Sequence, residues 1–129
     1  MLYGKAYVSV MDEKKIVNAF IRGFRKIFIL RLLCIKPRHG YNLIKEFKRI
    51  TGRKLKPSVV YPFLYLLESK GYVVGTWIVR GKRRIRNYEV TQKGKALFSS
   101  VKKRLNGYMG KMLLEILFTD RKTGKALKF

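Results

Sequence analysis

The run Pro57-Ser-Val-Val-Tyr-Pro-Phe-Leu-Tyr-Leu-Leu-Glu-Ser-Lys-Gly71, followed by Tyr72-Val-Val-Gly-Thr-Trp-Ile-Val-Arg80, decides the fold. Its first half reads as a short helix. Ser58 is the expected N-cap, Pro62 is tolerated only near a first turn, and Gly71 stops the helix. At 100° per residue, Val60, Phe63, Leu64 and Leu67 share one face, while Ser58, Tyr61, Pro62, Tyr65 and Ser69 fall opposite. The outward face therefore holds hydroxyls and aromatics. The second half is β-branched and aromatic. It meets Gly81-Lys82-Arg83 and then the alternating Arg84-Ile-Arg-Asn-Tyr-Glu-Val90, which predicts a two-stranded hairpin. Arg80, Lys82, Arg83, Arg84 and Arg86 crowd its tip.

Upstream, the spacing predicts a long amphipathic helix from an Asp12 N-cap. Its stripe is Ile16, Phe20, Ile27, Leu30 and Cys34, widened by Val17, Ile21, Phe24 and Phe28. Pro37 ends it. Lys36, Arg38 and His39 form a short connection to a second helix over Gly40–Thr51. That helix should bury Leu43, Ile44, Phe47 and Ile50, turn Asn42, Lys45, Glu46, Lys48 and Arg49 outward, and stop at Thr51-Gly52. Downstream, Thr91 caps a last helix with the stripe Leu97, Val101, Leu105, Tyr108, Met112 and Ile116. A continuous helix over 91–118 would span about 42 Å, more than so small a domain needs, so it wants a partner. Asn106-Gly107 and Gly110 leave open a break into two helices, with a continuous or kinked one favoured. Residues 1–10 read as either a short strand or an arm. The resulting layout is an arm over 1–11, a folded domain over 12–91, the last helix over 92–118 and a basic tail over 119–129.

The chain of 129 residues carries 31 Lys and Arg against 7 Asp and Glu, a net charge of +24, yet 47% of it is hydrophobic. That apolar fraction is too high for a disordered basic tail and suits one core. The charge surplus attracts polyanions, nucleic acid foremost. One His, one Cys and seven scattered carboxylates build no catalytic pair or metal cluster, so we expect a non-enzyme without a cofactor. Cys34 reads as a small buried hydrophobe in a reducing compartment. The apolar run Ile27–Ile35 is broken by Arg31 and falls far short of the ~20 residues of a bilayer span. The start Met-Leu-Tyr-Gly-Lys-Ala-Tyr also lacks the order of a secretory signal. A cytoplasmic protein without a membrane partner is expected.

Three helices, a hairpin and a helix in this order predict a mainly α winged helix-turn-helix with a long C-terminal dimerisation helix. The second helix braces the third against the major groove, and the hairpin tip lies along phosphates. In its residues the chain resembles the PadR family of transcriptional regulators over roughly 24–100. The resemblance is carried by Ile29-Leu-Arg-Leu-Leu33, by His39-Gly-Tyr-Asn-Leu-Ile-Lys-Glu46, by Ser58-Val-Val-Tyr-Pro62 with Leu64, Leu67, Glu68 and Gly71, and by Asn87-Tyr-Glu-Val-Thr91 with Gly94. It implies a homodimer built through the first and last helices, bound to a pseudo-palindromic operator in double-stranded DNA, commonly as a repressor at the nucleoid. It also implies that some members answer a small ligand in the dimer interface, although no effector residue can be singled out here. One departure concerns mechanism: where such proteins often carry Lys or Arg in the middle of the recognition helix, this chain has Tyr65 and Leu66.

The expected sites follow. Ser58, Tyr61, Tyr65 and Ser69 are the recognition-helix candidates, with Tyr61 equally able to pack back on the second helix. Arg80, Lys82, Arg83, Arg84 and Arg86, with Lys54 and Lys56, should meet the DNA backbone, whereas Lys45, Lys48 and Arg49 can be a solvated face. Ile16, Phe20, Leu97, Val101, Leu105, Tyr108, Met112 and Ile116 should form the dimer seam. His39 should position the turn into the second helix rather than hold a metal, and Trp77 should pack on the wing. Without a cationic recognition face, a low-specificity architectural DNA- or RNA-binding protein is the alternative, followed by an adaptor for an acidic protein.

Overall fold

The computed structural model describes residues 9–117, so residues 1–8 of the arm expected over 1–11, the last helical residue 118 and the basic tail lie outside the described residues, while Val10 and Met11 belong to a helix rather than to the arm. The first helix, α1, spans Val10–Ile35. It starts earlier than expected: Ser9, not Asp12, is the N-cap, its hydroxyl accepting from the Met11 amide at 3.1 Å. Asp12 and Glu13 fall in the first turn, where negative charge suits the helix dipole. Only the C-terminal half of α1 enters the core, through Ile29, Leu30, Leu32 and Leu33. Cys34 is half-buried, and burial pushes its thiol up despite nearby Arg31.

Beyond Pro37 the structure corrects the hairpin expectation. Arg38–His39 is a short strand, β1, and the sheet has three strands. β1 pairs with the third strand through Arg38 and Tyr88 and through His39 and Asn87. Arg38 is buried, and its Nε donates to the Leu32 carbonyl at 3.0 Å while Nη1 donates to Asn42 Oδ1 at 2.7 Å. The guanidinium thus adds a second donor to a last-turn carbonyl of α1 that the Lys36 amide reaches only at 3.4 Å.

Helix α2 covers Gly40–Thr51 as the spacing predicts, and Gly52 closes it in the left-handed region. His39 Nδ1 accepts from the Asn42 amide at 3.1 Å, so the histidine is the N-cap. Leu43 and Phe47 are buried; Ile50, expected inside, is exposed because the last turn runs past the core. Helix α3 spans Pro57–Ser69. Here Ser58 is not the cap: Lys56 holds that place without a side-chain bond, because Pro57, with its preset φ, takes the first helical position. Val60, Leu64 and Leu67 are buried as expected.

Strands β2 (Val73–Arg80) and β3 (Arg83–Val90) are joined by a two-residue turn, Gly81-Lys82, with Gly81 at φ +62. The expected three-residue turn is one residue too long, since Arg83 already pairs with Arg80. The sheet order is β1-β3-β2. The core gathers Ile29, Leu33, Leu43, Phe47, Leu55, Val60, Leu64 and Val73 from all three leading helices, the loop before α3 and the wing. Helix α4 runs over Gln92–Lys111, capped by Thr91, whose hydroxyl accepts from the Gly94 amide. It passes Asn106, Gly107 and Gly110 without a break and widens into a π-helical turn at Met112–Leu117. No helix of the described residues is long and apolar enough to cross a membrane.

Candidate nucleic-acid interface

Two elements carry the expected interface side chains, and the sheet fixes their relation. On α3, Ser58, Tyr61, Tyr65 and Ser69 all lie on the exposed face. Tyr65 is the freest of them, 74% exposed. Tyr61 does both things the sequence left open. Its ring rests against Gly40 at the start of α2, where an added Cβ would come within 2.5 Å of it, yet about half of its surface stays in solvent. Ser69 donates its hydroxyl to the Leu66 carbonyl at 2.8 Å, which occupies that proton in closing the helix.

On the wing, Arg80, Lys82, Arg83 and Arg84 are exposed, and Arg80 sits directly across from Arg83. Like charges at a cross-strand pair repel, so a polyanion laid over them relieves a strain the hairpin otherwise bears. Arg84 stacks on the Trp77 ring, 4.9 Å from its centroid. Tyr61 of α3, Tyr41 of α2, and Trp77, Arg83 and Arg84 of the wing line one hollow of about 470 Å³. The wing and the recognition helix therefore share a surface rather than standing apart.

Arg86 differs from its neighbours. Its Nη2 donates to both carboxylate oxygens of Glu68 at 2.8 Å, and its guanidinium lies 5.2 Å from the Trp77 ring and 5.9 Å from that of Tyr88. The Glu68 hydrogen bond pushes the Arg86 pKa up and so holds the charge in place. The pair crosses β2 at Gly75, where a Cβ would fall 2.3 Å from Glu68 Oε2 and 2.6 Å from Arg86 Nε. Glu68, which sequence reasoning passed over as a site residue, thus ties α3 to the wing. The one available signal was a single carboxylate on an otherwise uncharged helix beside a cationic strand.

His39, the α2 cap, is held below its ordinary pKa first by burial and then by Arg80 and Lys45, which favours the neutral ring its capping role needs. Lys54 and Lys56 are exposed in the loop that enters α3. Among the described residues, no group of three or more His, Cys, Asp or Glu is arranged to hold a metal ion.

The expected seam is partly brought together. Phe20, Leu97, Val101 and Leu105 line an apolar groove of about 540 Å³ between α1 and α4, joined by Phe24, Ile27 and Met109. Ile16, Met112 and Ile116 lie outside it with their side chains in solvent. Tyr108 lines a separate hollow on α4 with Lys103 and Arg104.

Residues 29–100 match the model of the transcriptional regulator PadR-like family. No curated protein sequence matches the chain. Among solved structures, a PadR family transcriptional regulator from Eggerthella lenta is similar at 26% identity and TM-score 0.67, over 81% of this chain and 97% of that one. The transcriptional regulator TA0346 from Thermoplasma acidophilum is similar at 26% identity and TM-score 0.60, over 74% of this chain and 95% of that one. Bacillus subtilis PadR, solved in complex with operator DNA, is similar at 28% identity and TM-score 0.54, over 58% of this chain and 43% of that one.

Proposed function

The chain belongs to the PadR-like family of transcriptional regulators, whose members are not enzymes, and from that premise we propose that it binds operator DNA as a homodimer and represses transcription. The observation that carries the reading is the shared hollow in which Tyr61 of α3 meets Arg83 and Arg84 of the wing. In the proposed complex the α3 face, Ser58, Tyr61 and Tyr65 foremost, enters the major groove, while Arg80, Lys82, Arg83 and Arg84 run along the phosphates. Ser69 stands at the far end of that face, and Lys54 and Lys56 reach phosphates at its start.

The groove between α1 and α4 supports a dimer, because a contiguous apolar surface with Phe20 and Phe24 exposed is stable when a second copy covers it. Two-fold symmetry then sets two α3 helices about 34 Å apart on a pseudo-palindromic site. The place of work is the nucleoid, in the cytoplasm, and a small effector would enter at the seam.

The α3 face carries no Lys or Arg, so bidentate reading of guanine is absent from it, and this favours a second reading as a low-specificity architectural protein. Competition separates the two. Selection of bound fragments from random DNA supplies the operator, and its complex should survive a large excess of random duplex. Equal displacement by both would replace the regulator with the architectural protein.

A further inference from the structure

On the opposite side of α1 from the apolar groove lies a hollow of about 380 Å³ where six polar side chains meet: Asn18, Arg22 and Arg25 of α1, and Arg53, Lys54 and Lys56 of the loop between α2 and α3. Five of the six are cations, and no carboxylate lines the hollow. Ile21 and Phe47 form its floor, an apolar backing that strengthens any charge interaction above it. Arg53 is the central member. One Nη donates to Asn18 Oδ1, while its Nε is buried without a hydrogen-bond partner. Buried donors without acceptors are rare and costly. Lys56 is also the N-cap of α3, a helix start with no side-chain cap and no acidic residue in its first turn. The positive end of that helix dipole is therefore left uncompensated at the rim of the hollow.

Five like charges from two elements repel one another, and the fold keeps them together without an acid. We propose that the hollow is a phosphate-binding site, completed by a tetrahedral oxyanion that accepts from Arg22, Arg25 and Arg53 and from the ammonium groups of Lys54 and Lys56. The phosphate can come from the backbone of the bound duplex, beyond the reach of the wing, or from a free phosphorylated solute. The duplex source rests on the DNA-binding reading above; the solute source does not. The site adds α1 to the contacting surface, which neither the hairpin nor α3 would suggest.

The test uses the full chain and the double variant Arg22→Ala/Arg25→Ala, two α1 cations of the hollow that the interface proposed above does not use. Inorganic phosphate is titrated against chloride at matched ionic strength, following thermal unfolding, and duplex binding is measured across salt concentrations. A rise of roughly 4 °C or more in phosphate over chloride, kept in Arg83→Ala and lost in the double variant, assigns a free solute. No such rise, together with a salt slope of duplex binding shallower by about 1.8 in the double variant, assigns a backbone phosphate. A double variant that matches the parent in both measurements overturns the site. Should the parent bind no duplex, the DNA reading fails while the phosphate titration still decides this proposal.

Discussion

The tip and the base of the wing are built from the same residue type and put it to opposite uses. At the tip, Arg80, Lys82, Arg83 and Arg84 have no acidic partner among the described residues, and two of them face each other across the strands. At the base, two residues further along β3, Arg86 is gripped by Glu68 and pressed between Trp77 and Tyr88. The tip offers charge to something outside the chain, whereas the base spends its charge on holding α3 and the wing at one angle. A count of cations cannot tell these apart; a partner list can.

The largest expected effect belongs to the tip. Replacing Arg80, Lys82, Arg83 and Arg84 together by Ala should weaken duplex binding roughly a hundred- to thousandfold near physiological salt. The slope of log K against log salt should become shallower by about 3.6 if all four neutralise phosphates. Thermal stability should barely change, since exposed substitutions of this kind stay within about 0.5 kcal/mol each. An unchanged salt slope would leave the tip as a solvated turn.

The base should respond the other way. Glu68→Ala and Arg86→Ala should each lower Tm by a few degrees, and the double variant should lose little more than either single one. Neither should alter the salt slope. A slope as shallow in Arg86→Ala as in Arg83→Ala would erase the distinction between the two regions.

Tyr65→Ala sharpens the comparison from the side of α3. Tip cations act on every sequence alike, so losing Tyr65 should change the ratio of operator to random affinity severalfold while leaving stability in place. Equal loss on both DNAs would remove Tyr65 from base reading.

The smallest effect is on pH dependence. The folded pKa of His39 lies below the ordinary value of 6.5, so the neutral ring is the native form. Its capping contribution, about 1 kcal/mol, should be full above pH 6.5 and fade as pH falls through the lower folded value. His39→Asn, a cap that does not titrate, should flatten that decline in an acid unfolding series. Because Arg80 is among the charges holding His39 down, the tip variant should end the decline at higher pH and lose less over it.

The helices were legible because each signal is local. The Gly52 stop of α2, the Thr91 cap of α4 and the buried triad Val60, Leu64 and Leu67 need only a few neighbouring residues to read. What escaped depends on distant partners. Arg38–His39 is too short to alternate and becomes a strand only because Tyr88 and Asn87 lie alongside. Arg86 looks like one more tip cation until Glu68, eighteen positions earlier, arrives on α3. Ile50 fits the apolar stripe of α2 and is exposed only because the core ends before it. Of the candidate site, the exposure of α3 and of the tip was readable; the division of labour along β3 and the cationic hollow behind α1 were not.

Trp77 is the sole tryptophan of the chain, set 4.9 Å from the Arg84 guanidinium and 5.2 Å from that of Arg86. Its indole therefore has one cation from the exposed tip and one from the anchored base as immediate neighbours. Whatever draws Arg84 away changes the electric field on the ring from one side only. The tryptophan fluorescence of the unlabelled chain, excited on the long-wavelength side of tyrosine absorption, then becomes an intrinsic optical gauge of wing occupancy.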